Sequence, residues 1–231
     1  LYKEKFIIRQ PDDWHLHLRD GSLLNDVIGV SAQVFRRAVV MPNLSPPITS
    51  IQDANEYKER ILKAVPFGVS FTPLLTAYLT DNTLPETLVK GFQEGVFFAA
   101  KLYPQNATTN SSLGVSDIRN IYSSLEMMEK IGMPLLVHGE VTDAEVDIFD
   151  RESVFIDRYL EPLLKRFSEL KVVLEHITTQ DAVDFVETSQ YKLAATITPH
   201  HLHLNRNAIF LNGLRSDFYC LPVAKRETNR I

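Results

Sequence analysis

The sequence predicts an α/β protein whose parallel strands curl into a (β/α) barrel. Short apolar runs rich in Val, Ile, Leu and Phe alternate with longer segments of helical periodicity, as in repeated βα units. No glycine-rich phosphate-binding motif of a doubly wound sheet follows any of these runs. The length of 231 residues also suits one undivided barrel.

Seven apolar runs are predicted to be strands. Their starting points are separated by about 22 to 38 residues, which matches the length of βα units. The predicted strands cover residues 14–18, 38–41, 70–75, 98–102, 135–138, 172–176 and 194–198. No low-complexity segment or flexible linker interrupts the series, so the sequence favours one barrel over two lobes.

Helix signals lie between the predicted strands. Ser50 and Thr83 each begin a segment with the spacing of a capping box, which predicts a helix start at both places. Apolar residues recur every three or four positions over 116–131 and again over 155–167, which predicts two further helices with one buried face. Gly132 is expected to end the first of these two helices.

Charge and composition argue against several kinds of partner. The net charge of −5 provides no cationic field for nucleic acid or for an anionic membrane. The sequence has neither an apolar run of about 18 residues nor the pattern of a signal peptide, so we expect a cytoplasmic protein. Cys220 is the one cysteine, so any metal ion would need nitrogen and oxygen ligands.

Four of the seven histidines lie at or near the ends of predicted strands. His15 and His17 are two residues apart in an extended run, which points both to one face, and Arg19 continues the alternation. His138 and His176 each close an apolar run. Strand ends meet at the mouth of a barrel, where four unpartnered imidazoles would be costly to bury. The placement favours a shared metal site over four separate structural histidines.

Lys101 lies in an apolar run where a buried ammonium would be costly. One interpretation is that the side chain extends from the strand end to solvent. Another is that burial lowers the pKa of Lys101, so that the neutral amine adds carbon dioxide and becomes a carbamate. A carbamate is an anionic oxygen ligand that can bridge two cations. The residues alone do not decide between these interpretations.

Six motifs occur in an order that is highly specific. They read PDDWHLHLRD at 11–20, MPNLSPP at 41–47, AKLYP at 100–104, ATTNSS at 107–112, LVHGE at 136–140 and LEHIT at 174–178. From about residue 9 onward, the chain closely resembles the stand-alone bacterial type of dihydroorotase in the amidohydrolase superfamily. The His-x-His pair alone is generic to that superfamily, whereas the whole set of motifs is not.

The resemblance implies a (β/α)8 TIM barrel that binds two Zn²⁺ ions. By similarity, His15, His17 and a carboxylated Lys101 would hold one ion, and Lys101, His138 and His176 would hold the other, with a hydroxide between them. Members of the family interconvert N-carbamoyl-L-aspartate and L-dihydroorotate in pyrimidine biosynthesis. Two cations would lower the pKa of the shared water and polarise the substrate carbonyl.

Further residues would contact the substrate if the resemblance holds. Arg19 and Asn43 match residues that hold the substrate carboxylate, a role that suits a planar guanidinium. Thr108 and Thr109 would lie in a mobile flap, and the backbone of Leu221 would touch the substrate ring. The alternatives are a surface salt bridge for Arg19, turn formation for Asn43 and an ordinary solvated loop for the threonines.

The sequence departs from the family pattern near its C-terminal end. The family's eighth strand should carry a Gly-Thr-Asp-Ser-Ala-Pro-His segment, whose Asp binds zinc and transfers the proton. No such segment occurs before Ile231, and Asp217 has the wrong context to replace it. The catalytic residue is therefore unassigned. We expect residues 1–231 to form one amidohydrolase barrel domain with its C-terminal part missing, which alone would bind metal weakly and turn over little substrate.

Two other functions stay open. A hydantoinase or dihydropyrimidinase would share the metal ligands, although Arg19 and Asn43 favour an acidic substrate. A catalytically inactive barrel scaffold would explain the absent Asp, although such proteins usually lose metal ligands as well. The leading prediction is a zinc-dependent cyclic amide hydrolase, a homodimer like many of its relatives, that acts on a small molecule and binds neither nucleic acid nor membrane.

Overall fold

Parallel strands form one curled sheet in the protein. A computed structural model describes residues 7–231. Within that range each strand pairs in parallel with the next along the chain, and β1 and β7 form the sheet edges. The strands are β1 (Asp12–Leu16), β2 (Arg37–Val40), β3 (Thr72–Tyr78), β4 (Ala99–Leu102), β5 (Leu135–His138), β6 (Val172–Glu175) and β7 (Leu193–Ala195). This sequential order confirms the predicted α/β barrel class.

Helices connect the strands and cover one face of the sheet. They are α1 (Gly21–Val34), α2 (Ile51–Ala64), α3 (Pro85–Gln93), α4 (Tyr122–Ile131), α5 (Arg151–Phe155), α6 (Glu161–Arg166), α7 (Gln180–Thr188), α8 (Pro199–His203), α9 (Asn207–Phe210) and α10 (Glu227–Arg230). Short 3₁₀ segments occupy Ile118–Ile121 and Ser216–Phe218, and a π-helical segment occupies Ile156–Leu160. Over residues 7–231, none of the helices has the length and apolar character needed to cross a bilayer.

All seven predicted strands are present, but some of their ends differ from the prediction. Strand β1 stops at Leu16, so His17 lies just beyond it. The extended run does not reach Arg19, whose backbone is left-handed with φ of 58°. Strand β3 continues to Tyr78 because its last residues pair with β4.

The predicted capping box at Ser50 is confirmed. Ser50 accepts a hydrogen bond from the backbone N–H of Asp53, and the Asp53 carboxylate accepts one from the backbone N–H of Ser50. The predicted capping box at Thr83 is wrong. The Thr83 hydroxyl instead accepts from the backbone N–H of Thr80 at 2.8 Å, and α3 begins at Pro85 without a side-chain cap.

The two long helical faces are present but are interrupted. The segment predicted over 116–131 begins as 3₁₀ helix before α4, which ends at Gly132 in a left-handed conformation with φ of 72°, as predicted. The segment predicted over 155–167 lies in α5, the π turn and α6. Pro162 lies in the first turn of α6, where a missing backbone N–H costs least.

Strand residues alternate between two buried faces. Ala100, Leu102 and Val137 pack into the large core beneath the helices, whereas Ala99 and Leu136 belong to a small cluster on the opposite face. Because side chains alternate along a strand, this second face also receives the residues two positions further on. It is the face on which the polar strand-end residues meet.

Candidate metal centre

Three strands present buried polar side chains on the face away from the helices. Lys101 of β4 shares that face with Ala99, and His138 of β5 shares it with Leu136. Glu175 is the last residue of β6 and follows the same alternation. All three side chains are buried. Burying polar groups in an apolar environment is costly unless those groups pair with one another or with a ligand.

The four predicted ligand histidines lie together. The Nε2 atoms of His15 and His17 are 3.0 Å apart. The His176 ring centroid lies 5.0 Å from that of His15 and 4.8 Å from that of His138. Side chains far apart in the sequence thus form one imidazole cluster at the strand ends.

The imidazole nitrogens are suitable ligands for a divalent cation. Within the described residues, the buried Nδ1 atoms of His17 and His176 have no hydrogen-bond partner. Burial, reinforced by His15 for His17 and by His138 for His176, holds the pKa of both rings well below 6.5. Neutral imidazoles are the form that binds metal, and nitrogen with anionic oxygen is a donor set that suits zinc.

Lys101 is fully buried and does not extend to solvent. Its Nζ donates to the Glu175 carboxylate and lies 4.9 Å from the centre of the Tyr103 ring. Burial lowers the pKa of Lys101, and the attraction of Glu175 opposes that shift only in part. The predicted lowering of the lysine pKa by burial is therefore confirmed.

Glu175 is a site residue that the sequence analysis missed. One of its oxygens pairs with Lys101, and the other lies 3.0 Å from Nδ1 of His15 without the alignment of a hydrogen bond. Burial would raise the pKa of Glu175, but the facing Lys101 and His15 lower it to about 2. The available signal was an acid closing the apolar run Val172–Glu175, where a charge needs a partner.

Glu140 is a second missed residue. It is buried, and its Oε2 lies 2.8 Å from Nε2 of His138. The carboxylate can only accept, so Nε2 of His138 carries the hydrogen and Nδ1 keeps its lone pair. The carboxylate raises the pKa of His138, but burial lowers it more. Glu140 thus orients the ring so that Nδ1 is available to a metal ion.

Three of the predicted substrate-binding residues lie together. The Arg19 guanidinium lies 3.5 Å from the Asn43 carbonyl oxygen, and the buried Asn43 amide donates to the Thr109 carbonyl oxygen at 2.9 Å. Tyr57 donates to the Arg19 carbonyl oxygen at 2.6 Å and so fixes the left-handed turn. The expectation that Arg19 continues the strand alternation is wrong, because the strand ends at Leu16.

Thr108 and Leu221 are less directly connected. The backbone N–H of Thr108 donates to the Ser111 hydroxyl at 2.9 Å, which places Thr108 in a tight turn of the same loop as Thr109. Leu221 precedes Pro222, whose carbonyl oxygen lies 2.9 Å from Nε2 of His201. Among the described residues, no hydrogen bond joins Leu221 to the other predicted substrate-binding residues.

Gly114 lies where this loop folds closely against itself. A Cβ at Gly114 would lie 2.5 Å from the Tyr103 carbonyl oxygen and 2.9 Å from that of Ser111. Both are backbone atoms, so alanine must displace the loop. We expect Gly114→Ala to reduce stability by about 1–3 kcal/mol and to lower the thermal unfolding midpoint by about 2–12 °C.

Gly29→Ala is the matched control for Gly114→Ala. A Cβ at Gly29, within α1, would make ordinary contact with Pro66 at 3.4 Å. Alanine is more favourable than glycine in a helix interior, so the control should leave the unfolding midpoint unchanged or raise it. Equal midpoints for the Gly114 variant and the wild-type protein would show that the loop adjusts without cost.

Comparisons with known proteins agree with this geometry. The model of the Amidohydrolase family matches residues 6–231. A dihydroorotase of Parasynechococcus marenigrum is 63% identical over 228 residues, which are 99% of this chain and 66% of that protein. The chain therefore spans slightly less than two thirds of the length of this relative.

Solved structures of dihydroorotases are also similar to this chain. The crystal structure of dihydroorotase from Campylobacter jejuni has a TM-score of 0.88 and 41% identity, with 96% of this chain and 63% of that chain covered. The dihydroorotase of Saccharomyces cerevisiae in complex with 5-fluoroorotic acid has a TM-score of 0.85 and 30% identity, with 95% and 63% covered. The chain therefore shares the fold of both structures over nearly its whole length.

Proposed function

The chain belongs to the amidohydrolase family, and from this premise we propose that it acts as a dihydroorotase. The reaction is the reversible closure of N-carbamoyl-L-aspartate to L-dihydroorotate in pyrimidine biosynthesis. The observation that carries the proposal is the cluster of His15, His17, His138 and His176 around a buried Lys101. The identity of 63% to a curated dihydroorotase over nearly the whole chain supports it.

The proposed metal content is two Zn²⁺ ions. His15 and His17 would hold one ion, His138 and His176 the other, and a carboxylated Lys101 would bridge them. Unpartnered buried nitrogens and the depressed histidine pKa values support this set. An ammonium at Lys101 would repel cations, whereas a carbamate would bind both. When bound, the two ions would supply an activated water and polarise the substrate carbonyl.

Arg19 and Asn43 are proposed to bind the substrate carboxylate. The Arg19 guanidinium has only a long contact to the Asn43 carbonyl oxygen, so its other N–H groups are available for a bidentate interaction. Asn43 also holds the loop of Thr108 and Thr109 through the Thr109 carbonyl oxygen. Carboxylate binding and the position of this loop would therefore be linked. The backbone of Leu221 is proposed to contact the ring.

The proton-transferring acid has no assigned position. The family's Gly-Thr-Asp motif does not occur in residues 1–231, and the curated relatives are longer than this chain. We propose that an eighth strand carrying this acid completes the barrel between β1 and β7, the two sheet edges. We also propose a cytoplasmic homodimer, which sedimentation equilibrium would test.

Hydrolysis of dihydroorotate and of uncharged dihydrouracil, measured side by side with zinc content on protein that includes the proposed eighth strand, tests the proposal. We expect about two zinc ions per chain. We also expect kcat/KM for dihydroorotate to be at least about tenfold higher, because a charge-assisted hydrogen bond to the carboxylate contributes about 1.5–3 kcal/mol. Preference for dihydrouracil would instead indicate a hydantoinase or dihydropyrimidinase. Absence of both zinc and turnover would indicate an inactive scaffold.

A further inference from the structure

We propose that Glu175 is a positioning residue that holds His15 of β1 and Lys101 of β4 in the arrangement in which both accept metal ions. The inference rests on the metal centre proposed above and assigns a role to a residue outside the ligand set. Glu175 faces proposed ligands from two other strands at once. It therefore joins strands that are not neighbours in the sheet.

Both oxygens of Glu175 are directed at proposed ligands. Oε2 accepts from Lys101 Nζ, and Oε1 lies 3.0 Å from Nδ1 of His15. Glu175 is almost completely buried, with 1% of its surface exposed. A buried carboxylate without partners is costly. Lys101 and His15 therefore stabilise the charge of Glu175, and Glu175 in turn positions both side chains.

The position of Glu175 relative to the His15 ring distinguishes support from ligation. Nε2 of His15 faces Nε2 of His17 at 3.0 Å, whereas Nδ1 on the other edge of the ring faces Glu175. Ligand atoms of His15, Glu175 and His176 do lie within 4.8 Å of one another. However, an ion held by the Nε2 atoms of His15 and His17 would be bound at the ring edge opposite Glu175.

This arrangement favours the His15 tautomer with its hydrogen on Nδ1, which leaves Nε2 free to bind a metal ion. A neutral imidazole carries one hydrogen, and a carboxylate beside Nδ1 favours placing it there. Nε2 then presents its lone pair toward His17. Carboxylate support of this kind orients histidine ligands and raises their basicity.

The contact to Lys101 is compatible with the proposed carbamate. An ammonium has three N–H groups, and a carbamate nitrogen keeps one. That remaining N–H can donate to Oε2 of Glu175, as the ammonium does in the structure. Glu175 can thus fix the Lys101 nitrogen while the carbamate oxygens face the ions.

Zinc affinity of Glu175→Gln, measured by competition with a chromophoric chelator, tests the inference. Glutamine preserves size, but it is uncharged and has one carbonyl oxygen instead of two, so an amide NH₂ replaces one of the two oxygens that face His15 and Lys101. We expect zinc binding to weaken by about 10–100-fold. Glu152→Gln is the matched control, because Glu152 is also buried but accepts from Thr178 and Thr179 and contacts no proposed ligand. It should retain wild-type zinc affinity.

A second measurement keeps the inference testable if Glu175→Gln does not fold. Nitrogen-15 NMR of zinc-loaded wild-type protein should place the His15 hydrogen on Nδ1, and a hydrogen on Nε2 would overturn the inference. Unchanged zinc affinity in a folded Glu175→Gln variant would also overturn the inference. The proposed function would still stand if the wild-type protein binds zinc and hydrolyses dihydroorotate. A wild-type protein that binds no zinc would overturn both.

Discussion

Lys101→Met is expected to reduce the rate of dihydroorotate hydrolysis by about 10³-fold or more, which corresponds to about 4 kcal/mol of lost transition-state stabilisation. Lys101 is the only proposed ligand shared by both ions, so its loss weakens both sites. Methionine fills much of the same volume, which limits the cavity in a fully buried position. The measurements are kcat/KM and zinc per chain, and both should fall.

Lys225→Met separates this effect from the general cost of removing a buried lysine. Lys225 is also buried, and its Nζ donates to the Val223 carbonyl oxygen at 2.9 Å. It is not a proposed ligand, so zinc content should stay at the wild-type value even if stability falls. Wild-type turnover and zinc content in Lys101→Met would contradict the bridging role.

In metal-free protein, where Lys101 is an ammonium paired with Glu175, Lys101→Met also leaves this acid buried without its cation, which destabilises the protein by about 3–5 kcal/mol where no other group compensates. The double variant Lys101→Met with Glu175→Gln removes that unpaired charge. We expect it to be more stable than Lys101→Met alone but equally inactive. Chemical denaturation and activity measured on the same samples would separate loss of folding from loss of the bridging ligand.

The sequence predicted the parts of the fold that depend on local periodicity. Seven apolar runs became seven strands, and the four histidines predicted at or near strand ends form one cluster. Strand ends were less predictable. Arg19 adopts a left-handed conformation that non-glycine residues rarely choose, and it does so where Tyr57 holds its carbonyl oxygen from another element. A contact between distant residues leaves no local pattern.

The supporting acids were missed for a related reason. Glu140 and Glu175 lie in the same motifs as His138 and His176, but strand alternation gives only the face of each side chain. The contacts of Glu175 to His15 and Lys101 depend on how distant strands are arranged in the sheet, which local alternation does not give. Thr83 failed as a predicted cap for the opposite reason, because a local turn with Thr80 used its hydroxyl first.

Arg19→Gln is expected to raise KM for dihydroorotate by about 10–100-fold, because hydrogen bonds to a charged group contribute about 1.5–3 kcal/mol. Turnover of dihydrouracil, which has no carboxylate, should stay the same. The expected result is therefore loss of discrimination between the two substrates rather than general inactivation. Steady-state kinetics with both substrates, on protein of verified zinc content, would measure it.

Arg19→Lys tests whether charge alone is enough. Lysine keeps the cation and the same backbone position, but it lacks the planar fork that binds a carboxylate through two parallel hydrogen bonds. We expect a KM for dihydroorotate between those of the wild-type protein and Arg19→Gln. The Asn43 side-chain amide donates to the loop carbonyl of Thr109, so Asn43→Ala should raise the same KM by releasing that loop. If both Arg19 variants raise KM equally for dihydrouracil and dihydroorotate, Arg19 supports the loop and does not bind the carboxylate.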